Sequence, residues 1–339
     1  MNKTKVGIIN VTGYAGVELA RILSRHPNVT LTSASGRSGA GKALADLFPH
    51  LTGIELTVDG ELGDVDIAFS ALPHKESAAE VIPLLQRGVK VIDLSADFRL
   101  NDSAQYPTWY GFDHPAKELL GEAVFGLTEL YRSEIMSSKL VANPGCYPTG
   151  AILALAPAAK AGLVKNRFIV DSKSGVSGAG RSLSLGTHFA EADDNVTAYA
   201  LGGHRHLPEI TQELSKLLAS QAEVTFVPHL IPMARGILTT AYATLTRQIE
   251  PDEIKHLYTE FYKNEPFVHI TPAPPHTKHT WGSNVCLVYP SVDTRTSTLI
   301  AISALDNLVK GAAGQAVQNM NVLLGLDERT GLEAAAVWP

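Results

Sequence analysis

A chain of 339 residues exceeds the size at which one hydrophobic core usually stops growing, so its length favours two domains. Hydrophobic residues make up 45% and charged residues 18%, which excludes a disordered, collagen-like or disulfide-framework chain. A net charge of −6 offers no general basic field for nucleic acid or an anionic membrane surface, and two cysteines, Cys146 and Cys286, suit a reducing compartment.

The opening Met1-Asn2-Lys3-Thr4-Lys5 runs straight into Val6-Gly7-Ile8-Ile9, which is too short for a signal-peptide core. No run approaches the ~18 apolar residues of a membrane helix, so the expectation is a soluble, cytoplasmic protein. Short β-branched runs then alternate with amphipathic helical patterns, which predicts a parallel sheet wound with helices. Strands are expected at Lys5–Asn10, Val29–Ser35, Asp66–Ala71, Val89–Leu94 and Lys139–Asn143. Helices are expected at Val17–His26 and Lys75–Arg87, the second closed by Gly88. The stretch Asn101–Gly126, rich in Pro, Gly, Tyr and Trp, reads as a long irregular excursion, a kind of loop that is more often functional than idle.

After Gly145 the texture changes. A helix at Tyr147–Ala161 is followed by long strands at Phe168–Ser174, Glu223–Pro232, Ile237–Leu245, Val285–Tyr289 and Ser297–Ala304. Few helices separate them, the clearest being Pro251–Lys263, so an α+β domain with a largely antiparallel sheet is predicted. The last helix, Leu308–Leu324, is apolar on several faces and is expected to pack back on the first domain.

The strand Lys5–Asn10 leads through Val11-Thr12-Gly13-Tyr14-Ala15-Gly16 directly into a helix. Glycines in that context let the backbone approach a pyrophosphate lying at the helix N-terminus, although the same pattern also serves as an ordinary tight turn. Asn10 stands where the usual pattern has its first glycine, and Asn tolerates positive φ. The second strand ends in Ser33-Ala34-Ser35-Gly36-Arg37-Ser38, with no acid to accept from a ribose 2′-hydroxyl. Arg37 with the serines suits a 2′-phosphate, so NADP(H) is favoured over NAD(H).

Cys146 lies in Asn143-Pro144-Gly145-Cys146-Tyr147-Pro148-Thr149-Gly150, where a strand ends and a helix begins. A helix N-terminus stabilises a thiolate, which a nucleophile requires. Cys286 sits in an apolar strand run and reads as core. For a partner base the chain offers Gly203-His204-Arg205-His206-Leu207-Pro208-Glu209. Read as extended backbone, this segment turns His204 and His206 to one side, with Glu209 orienting an imidazole. No further Cys or His cluster has zinc-site spacing, so no metal is expected. The run Asp171-Ser172-Lys173-Ser174-Gly175-Val176-Ser177-Gly178-Ala179-Gly180-Arg181 fits an anion-binding nest, or a flexible loop without ligand.

Val141 to Gly150, continued through Ala154-Leu155-Ala156-Pro157, resembles the active-site signature of the N-acetyl-gamma-glutamyl-phosphate reductases. The resemblance covers nearly the whole chain. It includes Gly13-Tyr14-Ala15-Gly16, Ala71-Leu72-Pro73-His74, Asp93 to Arg99, Ser174 to Arg181, His204-Arg205-His206, Met233-Ala234-Arg235-Gly236, Gly282-Ser283-Asn284 and Asp306 to Gly311, departing visibly at Asn10.

It implies an aspartate-semialdehyde-dehydrogenase-like architecture. An NADP(H)-binding α/β Rossmann-type domain (1–145 and 306–339) would join a catalytic and oligomerisation domain (146–305) in a cytoplasmic homodimer or homotetramer. It also implies an enzyme of arginine biosynthesis, in which an acyl phosphate passes to the Cys146 thiol with loss of phosphate and the thioester is reduced to the semialdehyde. By the same resemblance His204 is the acid/base, with His206 and Glu209 in support, although the residues leave open which histidine acts. Thr12, Gly13, Tyr14, Ala15, Gly16, Ser35, Arg37, Ser38, Leu72, Pro73, Ser177, Gly178 and Asn307 would hold the cofactor. Ser95, Arg99, Asn143, Lys173, Ser174, Arg181, Arg205, Arg235, Ser283 and Asn284 would hold the substrate. The competing readings are a carrier-linked aminoadipyl-phosphate reductase of lysine biosynthesis, an aspartate-semialdehyde dehydrogenase and a non-catalytic dinucleotide-binding regulator.

Overall fold

β-Branched and apolar runs near the N-terminus form largely buried strands. In the computed structural model, which describes residues 3–338, they are β1 (Thr4–Ile9), β2 (Val29–Ser35), β3 (Ile67–Ser70), β4 (Lys90–Asp93), β5 (Val124–Phe125) and β6 (Leu140–Ala142). They pair in the order β2-β1-β3-β4-β6-β5, every neighbour parallel. Helices α1 (Tyr14–Leu23), α2 (Ser77–Gln86) and α3 (Thr128–Ser137) connect them. Such sheets need helices over their faces, which explains why β3 is buried at every position.

Helix α1 starts three residues before its expected Val17, because extended Gly13 is already the N-cap. Helix α2 starts at Ser77 because Lys75 has φ 75° and cannot be helical. Gly88, at φ 84°, ends it as expected, with Val89 N–H donating to Leu84 O. The excursion 101–126 is less irregular than expected. A short helix at Tyr106–Tyr110 drives Tyr106 and Tyr110 into the core, and the chain returns as edge strand β5.

The second half builds a seven-stranded mixed sheet in the order β11-β12-β13-β10-β7-β9-β8. Its strands are β7 (Val164–Ser174), β8 (Thr197–Ala198), β9 (Glu223–Leu230), β10 (Ile237–Leu245), β11 (Val268–Ile270), β12 (Cys286–Asp293) and β13 (Thr298–Leu305). The β11–β12 and β7–β9 pairs are parallel and the other neighbours antiparallel. Against it lies α4 (Cys146–Lys160), followed along the chain by α5 (Leu207–Leu218) and α6 (Pro251–Tyr262).

Tyr147 to Ala159 are all buried, which suits a helix enclosed on every side. Pro157 within α4 removes the donor that would reach Leu153 O. The Tyr262 hydroxyl replaces it at 2.6 Å, and the Tyr258 hydroxyl donates to Ala154 O at 2.7 Å. A π-helical turn at Val309–Ala313 precedes α7 (Gly314–Leu323).

The chain divides into two compact units, residues 1–144 with 312–333 and residues 145–311 with 334–339, so α7 belongs with the parallel sheet. There Asn321 on α7 meets His26 Nε2 at 2.9 Å, and Asn319 donates to Gly126 O at 2.8 Å. Among the described residues, no helix is long and apolar enough to cross a membrane.

Candidate active site

In the first unit, the β1–α1 turn is built for close approach. Asn10 takes φ 62° and donates from Nδ2 to Ala71 O at 2.8 Å. A Cβ on Gly16 would lie 2.4 Å from Asn10 O and 2.7 Å from Val11 Cα, so only glycine lets the first turn of α1 close over the strand end. Val17 is the first residue whose N–H is bound within the helix, to Gly13 O, so the amides of Tyr14, Ala15 and Gly16 head α1. Thr12 Oγ1 lies 2.9 Å from Ser38 Oγ across the turn, and buried Ser35 ends β2. Arg37 is exposed and paired with Glu76 at 2.9 Å. This glycine-cornered cradle, without an acid at the end of β2, fits a dinucleotide whose ribose carries a phosphate. Half-buried Leu72 and exposed Pro73 follow β3.

The segment 93–99 is a buried scaffold. Asp93 is fully buried and accepts from the Ser77 and Ser95 hydroxyls, each at 2.6 Å. Burial first, then the Asp97 charge, raises its pKa to about 6. Asp97 accepts from the N–H groups of Lys75 (2.8 Å) and Ala78 (2.9 Å) at the head of α2. Arg99 donates to Asn143 O at 2.8 Å and Leu94 O at 2.6 Å, so its guanidinium locks two strand ends. Asn143 Nδ2 reaches Ala312 O at 3.2 Å.

In the second unit, Cys146 is the first residue of the fifteen-residue α4 and is half-buried. Gly145 caps that helix and must be glycine, since its Cβ would fall 2.6 Å from His206 Nε2 and 2.8–2.9 Å from two further ring atoms. The Nε2 end of the His206 ring therefore packs against Gly145, immediately before Cys146. Glu209, fully buried, accepts from Gly145 N–H at 3.0 Å and fixes the same residue from α5. On another side of Cys146, a Cβ on Gly311 would lie 2.8 Å from the cysteine Cβ.

The two histidines come together as expected, but not by strand alternation. Gly203 turns at φ 136°, Leu207 N–H closes on His204 O, and His206 becomes the N-cap of a helix where extended chain was expected. The overlooked signal is Pro208 with Glu209, a usual helix opening, followed by buried Ile210 and Leu214.

The two rings differ in setting. His204 is packed edge-on against Tyr147, Tyr199 and Phe226 and accepts from His206 N–H at 3.0 Å through Nδ1. Burial, then the neighbouring Arg205 charge, drags its pKa down to about 4. Arg205 itself points to solvent.

Around the loop that follows β7, Asp306 and Asn307 tie three segments together. Asn307 accepts from Gly236 N–H at 2.8 Å and donates to Ser177 Oγ at 2.9 Å. Asp306 Oδ2 accepts from Gly282 N–H at 2.7 Å and faces Arg235 Nη1 at 3.5 Å. Ser283 and Asn284 are buried beside that turn, and Gly178 packs on Ser174, where a Cβ would approach Oγ to 2.7 Å. Exposed Arg181 lies beyond Gly180. Lys173 is paired within its own strand. One residue from buried Ser174 on β7, it takes the opposite face of the sheet and pairs with Asp171 at 2.7 Å. Gly145, Gly311 and Asp306 were missed as site residues, because their roles rest on contacts with distant parts of the chain.

Both units have relatives among known proteins. Residues 5–138 match the family model "Semialdehyde dehydrogenase, NAD binding domain", and residues 146–307 match "Semialdehyde dehydrogenase, dimerisation domain". An N-acetyl-gamma-glutamyl-phosphate reductase of Dehalococcoides mccartyi is 58% identical over 341 residues, covering 100% of both chains. One from Desulfotalea psychrophila is 49% identical, with 99% of each chain covered. Among solved structures, aspartate semialdehyde dehydrogenase II of Vibrio cholerae superposes with a TM-score of 0.75 over 96% of this chain and 99% of its own, at 18% identity, a likeness of fold. With a thiol at a helix head, a glycine-cornered turn and relatives this similar from end to end, the chain belongs to the N-acetyl-gamma-glutamyl-phosphate reductase family of semialdehyde-dehydrogenase-type oxidoreductases.

Proposed function

We propose that the protein reduces N-acetyl-L-glutamyl 5-phosphate to N-acetyl-L-glutamate 5-semialdehyde, using NADPH, in cytoplasmic arginine biosynthesis. The observation that carries this reading is Cys146 at the head of α4, with His206 lying on Gly145 beside it. Helix amides favour the thiolate, and the imidazole takes the thiol proton. The Cys146 sulfur attacks the acyl carbon, the bond to the phosphate oxygen breaks, and a thioester and inorganic phosphate result. When bound, NADPH supplies the hydride that the thioester carbon accepts. The resulting alkoxide, steadied by the His206 imidazolium, collapses to the aldehyde and returns the thiolate.

His206, rather than His204, is the acid/base in this proposal, since His204 stays neutral in its aromatic surround. Glu209 holds Gly145 and so sets the head of α4. Thr12, Gly13 and Gly16 receive the pyrophosphate, and Arg37 with Ser38 receives the 2′-phosphate. Arg235 receives an anionic group of the substrate. The first unit thus carries the dinucleotide, and the second carries acyl transfer and assembly into a homodimer or homotetramer.

The test is mass spectrometry of protein quenched after mixing with the acyl phosphate in the absence of dinucleotide. An N-acetylglutamyl adduct on Cys146 with release of phosphate is expected, and none in Cys146→Ala. Phosphate release without an adduct would refute covalent catalysis.

A further inference from the structure

Asp306 was given no role by its sequence, yet within the second unit it joins its own turn to Gly282 and Arg235. It is fully buried, and a buried carboxylate persists only where donors surround it. Oδ1 accepts from Leu308 N–H at 2.8 Å and Val309 N–H at 3.3 Å, and Oδ2 from Gly282 N–H at 2.7 Å. Oδ2 also faces the Arg235 guanidinium at 3.5 Å, a side chain about a third exposed. Arg235 is also fixed by its backbone. Trp281 Nε1 donates to Arg235 O at 2.8 Å, and Gly175 is so close to Arg235 N that a Cβ there would approach to 2.8 Å. The carboxylate therefore holds one edge of a guanidinium whose root is already rigid, which leaves the side chain directed rather than swinging in solvent. From Asp306 the chain also runs to the nucleophile. Gly311 N–H donates to Asp306 O at 2.9 Å, and Gly311 abuts Cys146.

We propose that Asp306 is a positioning residue, holding the Arg235 guanidinium in the orientation in which it grips an anionic group of the substrate. This rests on the reading of Arg235 made above and on the reductase activity proposed there. It assigns to a buried acid a function carried through its partner. Backbone capping alone would need only the amides of Gly282, Leu308 and Val309, and would not require a cation on the fourth side.

The experiment is steady-state kinetics in the reverse direction for wild type, Asp306→Asn, Arg235→Ala and the double variant, with Cys146 alkylation by iodoacetamide measured in parallel. Asp306→Asn is expected to raise KM about tenfold or more, for the semialdehyde if Arg235 grips the carboxylate or for phosphate if it grips the phosphoryl group. KM for NADP and the Cys146 alkylation rate should stay within about twofold, and in the Arg235→Ala background the second substitution should add nothing. Should Asp306→Asn fail to fold, Asp306→Glu, which keeps the charge but displaces it, is read in the same way.

An unchanged KM in a folded Asp306 variant overturns the inference. So does an equal further rise in the Arg235→Ala background, or alkylation slowed in step with KM, which would mark a structural role. Arg235→Ala with wild-type KM values removes the anion-gripping reading and this inference with it, while leaving the reductase reading intact. A wild-type enzyme that is inactive toward these substrates removes all three.

Discussion

His204 and His206 stand one residue apart in the chain, and their surroundings give them different chemistry. His204, held near pKa 4 by burial and Arg205, is neutral throughout the neutral pH range and accepts a backbone hydrogen bond. Replacing it by Asn keeps an acceptor near the same place, so His204→Asn should retain kcat within a few-fold and leave the acid limb of the pH–rate profile unmoved. His206→Asn should lose roughly 10²–10⁴ in kcat, the usual worth of a general acid/base.

His204 also links to stability. Between pH 6.5 and about 4 the unfolded chain takes up a proton that the folded site refuses, so folding stability falls as pH drops through that window. The loss amounts to roughly 3 kcal/mol by pH 4 and is absent from His204→Asn, as urea unfolding at pH 7 and pH 5 would detect. At this scale the sequence was partly legible. Asn10 could be read as the residue able to hold φ 62°, because its own chemistry permits it. The different settings of the two histidines could not, because they depend on Tyr199 and Phe226, which only folding brings around His204.

Elements were legible where one physical signal dominated. The β-branched runs of β1, β2 and β3 announce themselves, and so does α6 with Pro251, Asp252 and Glu253 in its first turn. Helix α5 did not, because two histidines flanking an arginine invite an extended reading that outweighs Pro208. The four-residue β3 and β4 are short, but their ends are tied to the head of α2, where the Ser77 hydroxyl meets Ser70 Oγ at the end of β3 and donates to buried Asp93 at the end of β4, each at 2.6 Å. With its pKa raised to about 6 from 3.8, folded Asp93 keeps a proton that the unfolded chain has released. Its contribution therefore makes stability fall as pH rises from about 4 to 6. Asp93→Asn removes that term, so stability of the variant relative to wild type should rise across this window and level off above it, as read by denaturant unfolding at each pH. In the β1–α1 turn, Gly16→Ala should weaken NADP binding at least tenfold by calorimetry while Cys146 alkylation proceeds normally, since the added methyl meets backbone at 2.4 Å.

For the molecule as a whole, the chain passes from one unit to the other between Pro144 and Gly145, next to Cys146. The second unit leaves Leu183, Leu185, Phe189, Val196 and Leu201 at least 65% exposed along one stretch of chain. Large apolar side chains left this exposed favour association with another chain. Light scattering should accordingly give two or four times the mass of one chain, and Leu185→Glu with Phe189→Glu should shift the distribution toward smaller species.

The proposed reaction turns on transfer of the N-acetylglutamyl group through Cys146. It is tested most directly by mixing enzyme, NADP and N-acetylglutamate semialdehyde with and without inorganic phosphate, and following the absorbance of reduced nicotinamide. Phosphate-dependent reduction of NADP is predicted for the wild type, with none for Cys146→Ala and a much weaker response to the aminoadipate analogue. No reduction while Cys146 remains a free thiol by titration, or a preference for the aminoadipate analogue, would contradict it.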